Sequence, residues 1–181
     1  MIKKILIILG VIIVVFIVIV ALQPADFRVV RSASMSAPAS AVFAQVNDFH
    51  NWDAWSPWAK LDPNMKTTFE GPPAGTGATY SWTGDRKVGA GRMAITESKP
   101  AELVRIKLDF LKPFEASNVT EFSFKPDGNN TSVTWSMSGR NNFISKAFCL
   151  FMNMDKMVGG DFEKGLAQMK KVVETAPKQS T

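Results

Sequence analysis

One cysteine, one histidine and one tyrosine in 181 residues leave this sequence short of the usual catalytic inventory. With Cys149 alone no internal disulfide forms, and a zinc site lacks both the thiolates and the imidazoles it needs. Calcium loops of the Asp-x-Asp-x-Asp-Gly kind are missing, as is the Gly-x-Ser-x-Gly elbow of a hydrolase nucleophile. No metal and no cofactor are therefore expected. Nor is the net charge of +5 gathered into a stripe: past Lys3-Lys4 the only adjacent basic pairs are Arg86-Lys87 and Lys170-Lys171. A nucleic-acid binder concentrates basic residues on one face and interleaves aromatics for stacking. The aromatics here lie in strand-like patterns away from those pairs, so nucleic acid is not an expected partner. The letters Gly89-Ala90-Gly91-Arg92-Met93-Ala94 fit a dinucleotide fingerprint, but that motif works only where a strand feeds a helix, and Met93 and Ile95 continue a strand.

Apolar residues are abundant, and unevenly so. Of the first 22 residues, 19 are hydrophobic, and residues 5–22 hold Gly10 as their one exception. As a helix that run spans about 27 Å, close to the hydrocarbon thickness of a bilayer. A cleavable signal peptide is the rival reading, given Lys3-Lys4, yet the run exceeds the usual apolar core and Ala21-Leu22-Gln23-Pro24-Ala25 is a poor cleavage site. The reading adopted is an uncleaved signal anchor over residues 1–23. Arg28 and Arg31 flank its other end, so orientation rests on the charged amino terminus and short tail: amino terminus inside, domain outside. That predicts a single-pass protein of a bacterial inner membrane, with its domain on the periplasmic side.

Residues 24–176 read as one globular domain, and residues 177–181 as a disordered tail. Phe27, Val29, Arg31, Ala33 and Met35 alternate with Arg28, Val30, Ser32 and Ser34, a strand period. Ser36 is expected to cap a helix with Pro38 in its first turn and Val42, Phe43 and Val46 as its apolar stripe. Trp52, Trp55 and Trp58 follow at spacing three, on one side of a short helical turn. Six or so strands come next, clearest at Val104, Ile106, Leu108 and Phe110, with a hairpin turn at Pro126-Asp127-Gly128-Asn129. Last, Phe151, Met154, Val158, Phe162, Leu166, Met169 and Val173 recur at spacings of three and four, predicting one long helix. Gly159-Gly160 marks either a kink in it or a place where another backbone approaches. Cys149, in an apolar stretch, is expected to be a small buried hydrophobe.

This order is α+β: a curved antiparallel sheet wrapped around a long C-terminal helix, two short helices after the first strand, and one transmembrane helix ahead. It resembles the helix-grip fold of the START and polyketide-cyclase-like superfamily (SRPBCC), over residues 26–175. The resemblance is carried by His50-Asn51-Trp52-Asp53-Ala54-Trp55-Ser56-Pro57-Trp58, Tyr80-Ser81-Trp82-Thr83-Gly84, Val88-Gly89-Ala90-Gly91, and most specifically by the run from Met154-Asp155-Lys156-Met157 through Gly159-Gly160-Asp161-Phe162 to Gly165-Leu166. It implies a hydrophobic cavity between sheet and long helix, holding a lipid, sterol, quinone or polyketide-like molecule. A minority of the superfamily act chemically on what they bind.

With five tryptophans and nine methionines, bulky rings and flexible thioethers are available to line such a cavity. The expected lining is Trp55, Trp58, Tyr80, Trp82, Met93, Phe110, Phe122, Trp135, Met137, Phe151, Met154 and Val158. The leading expectation is a membrane-anchored binding protein for a hydrophobic, lipid-like small molecule. An alternative is a polyketide cyclase or dehydratase using His50, with Asp48 and Asp53 nearby, or a cavity carboxylate as base. The plainer reading of that segment is that Asp48, Asn51 and Asp53 cap short helices and His50 lies on the surface. A third possibility is an interaction module that docks a membrane partner through an exposed tryptophan loop.

Overall fold

Strands β1 (Asp26–Met35), β2 (Lys66–Glu70), β3 (Thr79–Thr83), β4 (Ala90–Lys99), β5 (Leu103–Lys112), β6 (Ala116–Asp127) and β7 (Asn130–Arg140) form a single antiparallel sheet in the computed structural model, which describes residues 2–175. Their order is β1-β7-β6-β5-β4-β3-β2, so β2 to β7 run as a meander and β1 joins its far edge. The alternation read from β1 is reproduced to the residue. The β6–β7 hairpin turns through Gly128-Asn129, with Asp127 paired to Asn130 and Gly128 at a φ of 58°, a conformation glycine adopts without a Cβ penalty. Register shifts at Ala90/Gly91 and Ile95/Glu97 put bulges in β4, which bend a sheet and increase its twist.

The helices are α1 (Ile2–Leu22), α2 (Ala39–Asn47), a 3₁₀ helix over Phe49–Ala54, α3 (Phe143–Cys149) and α4 (Met154–Thr175). α2 packs on β5, β6, β7 and α4, while α4 lies along β1. Phe162, Leu166, Met169 and Val173 form the buried stripe of α4. The Phe162 ring stacks on Trp135 at 3.9 Å and 8°, and Trp135 stacks in turn on Phe122 at 4.7 Å. Gly165 permits this closeness, since a Cβ there would stand 2.8 Å from the Trp135 ring. This is the helix-grip arrangement, with one apolar helix ahead of it.

Several local expectations are corrected. Ser36 does not cap α2: the helix begins beyond an extended Pro38 with no side-chain cap, and the Ser36 hydroxyl donates to Asn130 Oδ1 at 2.8 Å. Asp48 instead caps the 3₁₀ helix, accepting from the His50 amide at 2.9 Å. The long helix starts later than the apolar run: Phe151 lies in the turn after α3, and Asn153 accepts from the Lys156 amide to start α4. α4 runs unbroken through Gly159-Gly160, and what meets Gly159 is a side chain: a Cβ there would overlap the Arg31 guanidinium, while one on Gly160 would meet nothing. Cys149 is half-exposed, since α3 buries no residue in the core and packs on α1.

α1 is long and apolar enough to cross a membrane, and only Val20 in it is buried. The expectation for residues 177–181 falls outside the described residues.

Candidate functional site

Between the sheet and the first half of α4 lies a cavity of about 300 Å³. Residues two apart on a strand share a face, and three such pairs, Tyr80 and Trp82 on β3, Leu108 and Phe110 on β5, and Trp135 and Met137 on β7, build its sheet wall with Met93 of β4. Register brings these together: Tyr80 is opposite Met93, Met93 opposite Leu108, and Trp82 opposite Gly91, which is itself opposite Phe110. Gly91 is required here, because a Cβ would run into the Trp82 indole that lies across it to meet Phe110 edge-on at 6.1 Å. The opposite wall is Met157, Val158, Asp161 and Phe162 of α4, and Trp52, Asp53, Ser56 and Trp58 close one side.

Around Trp135 the polar atoms of the lining are already engaged with one another. Trp135 Nε1 donates to Thr120 Oγ1 at 2.9 Å, and that hydroxyl donates to the Ser136 carbonyl at 2.9 Å. At the other end, beside the β3–β4 connection, Trp82 Nε1 donates to the Val88 carbonyl at 3.0 Å. Charge and free polarity collect toward the mouth, at exposed Asp53 and Lys87 and half-buried Asp161, the last paired with Lys164 at 3.0 Å. Tyr80 stands between the two zones. Burial, and then the negative charge of Asp53, push its phenol up to about 12. At neutral pH it is a neutral hydroxyl, on a residue that lines a largely apolar space.

Trp58, Tyr80, Trp82, Met93, Phe110, Trp135, Met137 and Val158 line this cavity. Trp55 and Phe122 do not; both are fully buried behind the wall, with Trp55 Nε1 donating to the Gln45 carbonyl at 3.0 Å. Met154 sits half-buried in the first turn of α4, outside the lining. Phe151 is 80% exposed and stacks on Phe16 of α1 at 6.5 Å, because the chain break before α4 turns it away from the domain. His50 is also outside. It stacks on Phe69 at 4.1 Å, holds Asp48 Oδ1 through Nδ1 at 2.8 Å, and borders a separate surface depression beside Pro72 and Pro73.

Asp53, Asp161, Met157 and Leu108 are lining residues the sequence reading passed over. Leu108 was visible in the alternation of β5, and Asp161 lies three residues after Val158 on the same helical face. Asp53 was singled out only as a neighbour of His50 or a helix cap, and not as lining. Among the described residues no three His, Cys, Asp or Glu side chains stand close enough to hold a metal ion.

The same architecture occurs in solved structures of low sequence similarity. A Chromobacterium violaceum protein is 15% identical with a TM-score of 0.58, over 84% of this chain and 99% of its own. A Mesorhizobium loti protein is 16% identical with a TM-score of 0.60, over 83% and 99%. CalU16 from Micromonospora echinospora is 12% identical with a TM-score of 0.57, over 84% and 77%. No curated protein matches the sequence. The family comparison reaches further than fold: across residues 26–174, nearly the whole body built on this sheet and helix, the chain belongs to the family described as polyketide cyclase / dehydrase and lipid transport.

Proposed function

We propose that this protein is a membrane-anchored binding protein that holds one hydrophobic, lipid-like small molecule between the sheet and α4. The observation that carries this reading is a cavity walled mainly by aromatic and aliphatic side chains, with charge confined to Asp53, Lys87 and Asp161 at its border. Its volume of about 300 Å³ is at the small end of ligand pockets, which run to about 1,000 Å³. It suits a short tail or a fused ring and leaves no room for a whole phospholipid. Transfer of such a ligand from water is favoured by about 25 cal/mol per Å² of apolar surface buried. α1 supports the anchored form, because a pocket tethered at a bilayer meets an apolar ligand at high effective concentration. The test is native mass spectrometry of the detergent-extracted full chain, with melting curves before and after delipidation. A bound small mass and a lower melting temperature on its removal are expected; an empty protein whose melting temperature ignores added lipids defeats the reading.

A second reading, a cyclase- or dehydratase-like enzyme, is favoured by Asp53 and Asp161 at the mouth and the neutral Tyr80 hydroxyl within. A carboxylate can take a proton beside a carbonyl while Tyr80 donates to the oxygen. His50 has no part in it, lying outside the cavity. Turnover of a polyketide-like substrate, lost in Asp53→Asn or Asp161→Asn with binding retained, would put this reading first. A docking module built on a tryptophan loop has little support, since Trp52 and Trp55 are buried and Trp58 is half-buried.

A further inference from the structure

One end of the sheet carries large apolar side chains that the described residues of the domain leave exposed. The pairs Asp26 with Arg140, Asn118 with Gly139, and Phe110 with Ala116 place the start of β1, the end of β7 and the β5–β6 turn at that end. α1 enters there, directly ahead of β1, and α3 leaves there, directly after β7. At the end of β5 Leu111 is 55% exposed, and in the β5–β6 turn Phe114 is 71% exposed; in α3 and the bend after it Ile144 is 67%, Phe148 54% and Phe151 80% exposed. Scattered exposed apolar residues are ordinary, but large ones collected at a single end of a domain mark a surface that binds something apolar.

α1 indicates what that is. Phe151 stacks on Phe16, six residues before the end of α1, which is about 9 Å along a helix axis. α3 also packs on α1, and Lys146 Nζ reaches the Ala21 carbonyl at 3.4 Å. If α1 crosses a bilayer up to Leu22, Phe151 lies below the headgroups beside it, and α3 lies at the boundary. Lys112 and Lys146 border the two tips, where long basic side chains reach headgroups from an apolar stem. The cavity reaches the same end: Trp82 and Phe110 line it at the ends of their strands, Lys87 and Val88 line it from the β3–β4 connection, and exposed Met157, also in its lining, stands a few residues after Phe151.

We propose that the β5–β6 tip and the α3 segment, residues 111–114 and 144–152, are immersed in the lipid bilayer that α1 crosses, so that the end of the cavity lined by Trp82 and Phe110 faces lipid and its ligand enters there from the membrane without passing through water. This rests on the reading of α1 as a membrane span and is independent of what the ligand is. Interfacial immersion of an apolar helix face of this kind is held by buried area and by basic side chains at the headgroup level.

The test is nitroxide labelling of the full chain in vesicles of phosphatidylcholine and phosphatidylglycerol. In a Cys149→Ser background, single cysteines are placed by Val11→Cys in α1, Phe114→Cys and Phe148→Cys at the tips, and Asn129→Cys in the exposed turn at the opposite end of the sheet. Collision with oxygen, which concentrates in lipid, is compared with collision with a water-soluble nickel chelate. The oxygen-to-nickel ratio is expected to be several-fold higher at 11, 114 and 148 than at 129. A lipid ratio at 11 with a water ratio at 114 and 148 overturns this inference and leaves the anchor standing. A water ratio at 11 overturns both. Shielding of 114 and 148 from both reagents would mean a protein covers the tips, and overturns it too.

Discussion

Arg31 of β1 and Gly159 of α4 fit one another: the guanidinium lies in the space a Cβ at 159 would occupy. From there Arg31 donates through Nη1 and Nη2 to both carboxylate oxygens of Asp155, each at 3.0 Å, and through Nε to Glu163 at 2.6 Å. These two carboxylates flank Gly159 one turn either way, so one side chain ties the edge strand to the part of α4 that forms the cavity wall. Gly159→Ala and Gly160→Ala should therefore differ in sign. At 160 the new Cβ meets nothing, and replacing a helical glycine by alanine gains about 1 kcal/mol, a rise in Tm of about 2 to 4 °C for a domain of this size. At 159 the same gain is set against displacement of Arg31 from both partners, and Tm should not rise. In an Arg31→Ala background the two substitutions should become equivalent; persistence of the difference there would show that Arg31 is not its cause.

The same cluster predicts a pH dependence. The Asp155 carboxyl is held below the ordinary carboxylate value by its hydrogen bonds from Arg31, and the Asp109 carboxyl chiefly by the Ser117 hydroxyl, 2.6 Å away, with Lys107 adding to it. A carboxyl whose pKa is lower folded than unfolded contributes stability that is present above the unfolded value, about 4, and lost as pH falls through the folded value. Tm should thus decline as pH drops below about 4. Asp155→Asn and Asp109→Asn should each lower Tm at neutral pH and flatten that decline. A variant that loses stability equally at every pH would show that the side chain matters for its shape and not for its charge.

How far these features could be read from the sequence differs by kind. β1, β5 and β7 were legible because one buried face imposes a period of two, and the β6–β7 turn because Gly128 is needed where φ is positive. Periodicity reports that a residue is apolar and on a helix, and is silent on what covers it. It ran from Phe151 through Val173 without registering that Asn153 begins a new helix, so Phe151 was grouped with the cavity while the fold sets it against α1. Trp55 and Trp58 are three residues apart, yet the 3₁₀ helix ends at Ala54 and the chain turns between them, sending one into the core and the other to the cavity. Asp161 escaped, and Asp53 was noticed only beside His50, because a search for apolar lining passes over charge at a mouth. The fit of Arg31 to Gly159 is contact between residues 128 positions apart, which no local pattern encodes.

Tyr80 can be followed without a label, since it is the one tyrosine in the chain. Tyrosinate absorption should half-develop near pH 12 in the folded protein, the value to which burial and Asp53 raise it, and near 10 in denaturant. A raised value stabilises the fold below the unfolded pKa and is lost as pH rises through the folded one, so stability should fall between those two points. Asp53→Asn should bring the folded midpoint down, and a midpoint unmoved by it would remove Asp53 as a contributor. Tyr80→Phe keeps the ring and deletes the donor. It should weaken binding of a fatty-acid probe that has an acceptor group and leave a pure hydrocarbon probe unaffected.

Filling the cavity should separate binding from folding. Val158 is half-buried on α4 and lines the space directly, so Val158→Trp places a ring where the ligand is proposed to lie. Inserting bulk into a packed core costs about 1 to 3 kcal/mol, but a void of about 300 Å³ has room for an indole, and Tm should hold or rise. Affinity for an apolar fluorescent probe should fall at least roughly tenfold, equivalent to about 1.4 kcal/mol of lost binding. Met93→Ala acts in the opposite sense, enlarging the space at a stability cost of about 2 to 5 kcal/mol while admitting longer probes. His50→Ala removes a ring outside the cavity and should leave both kinds of probe unaffected. If Val158→Trp lowers Tm by several degrees and probe binding survives, the side chain has been forced into packed core, and the probe is bound somewhere other than between the sheet and α4.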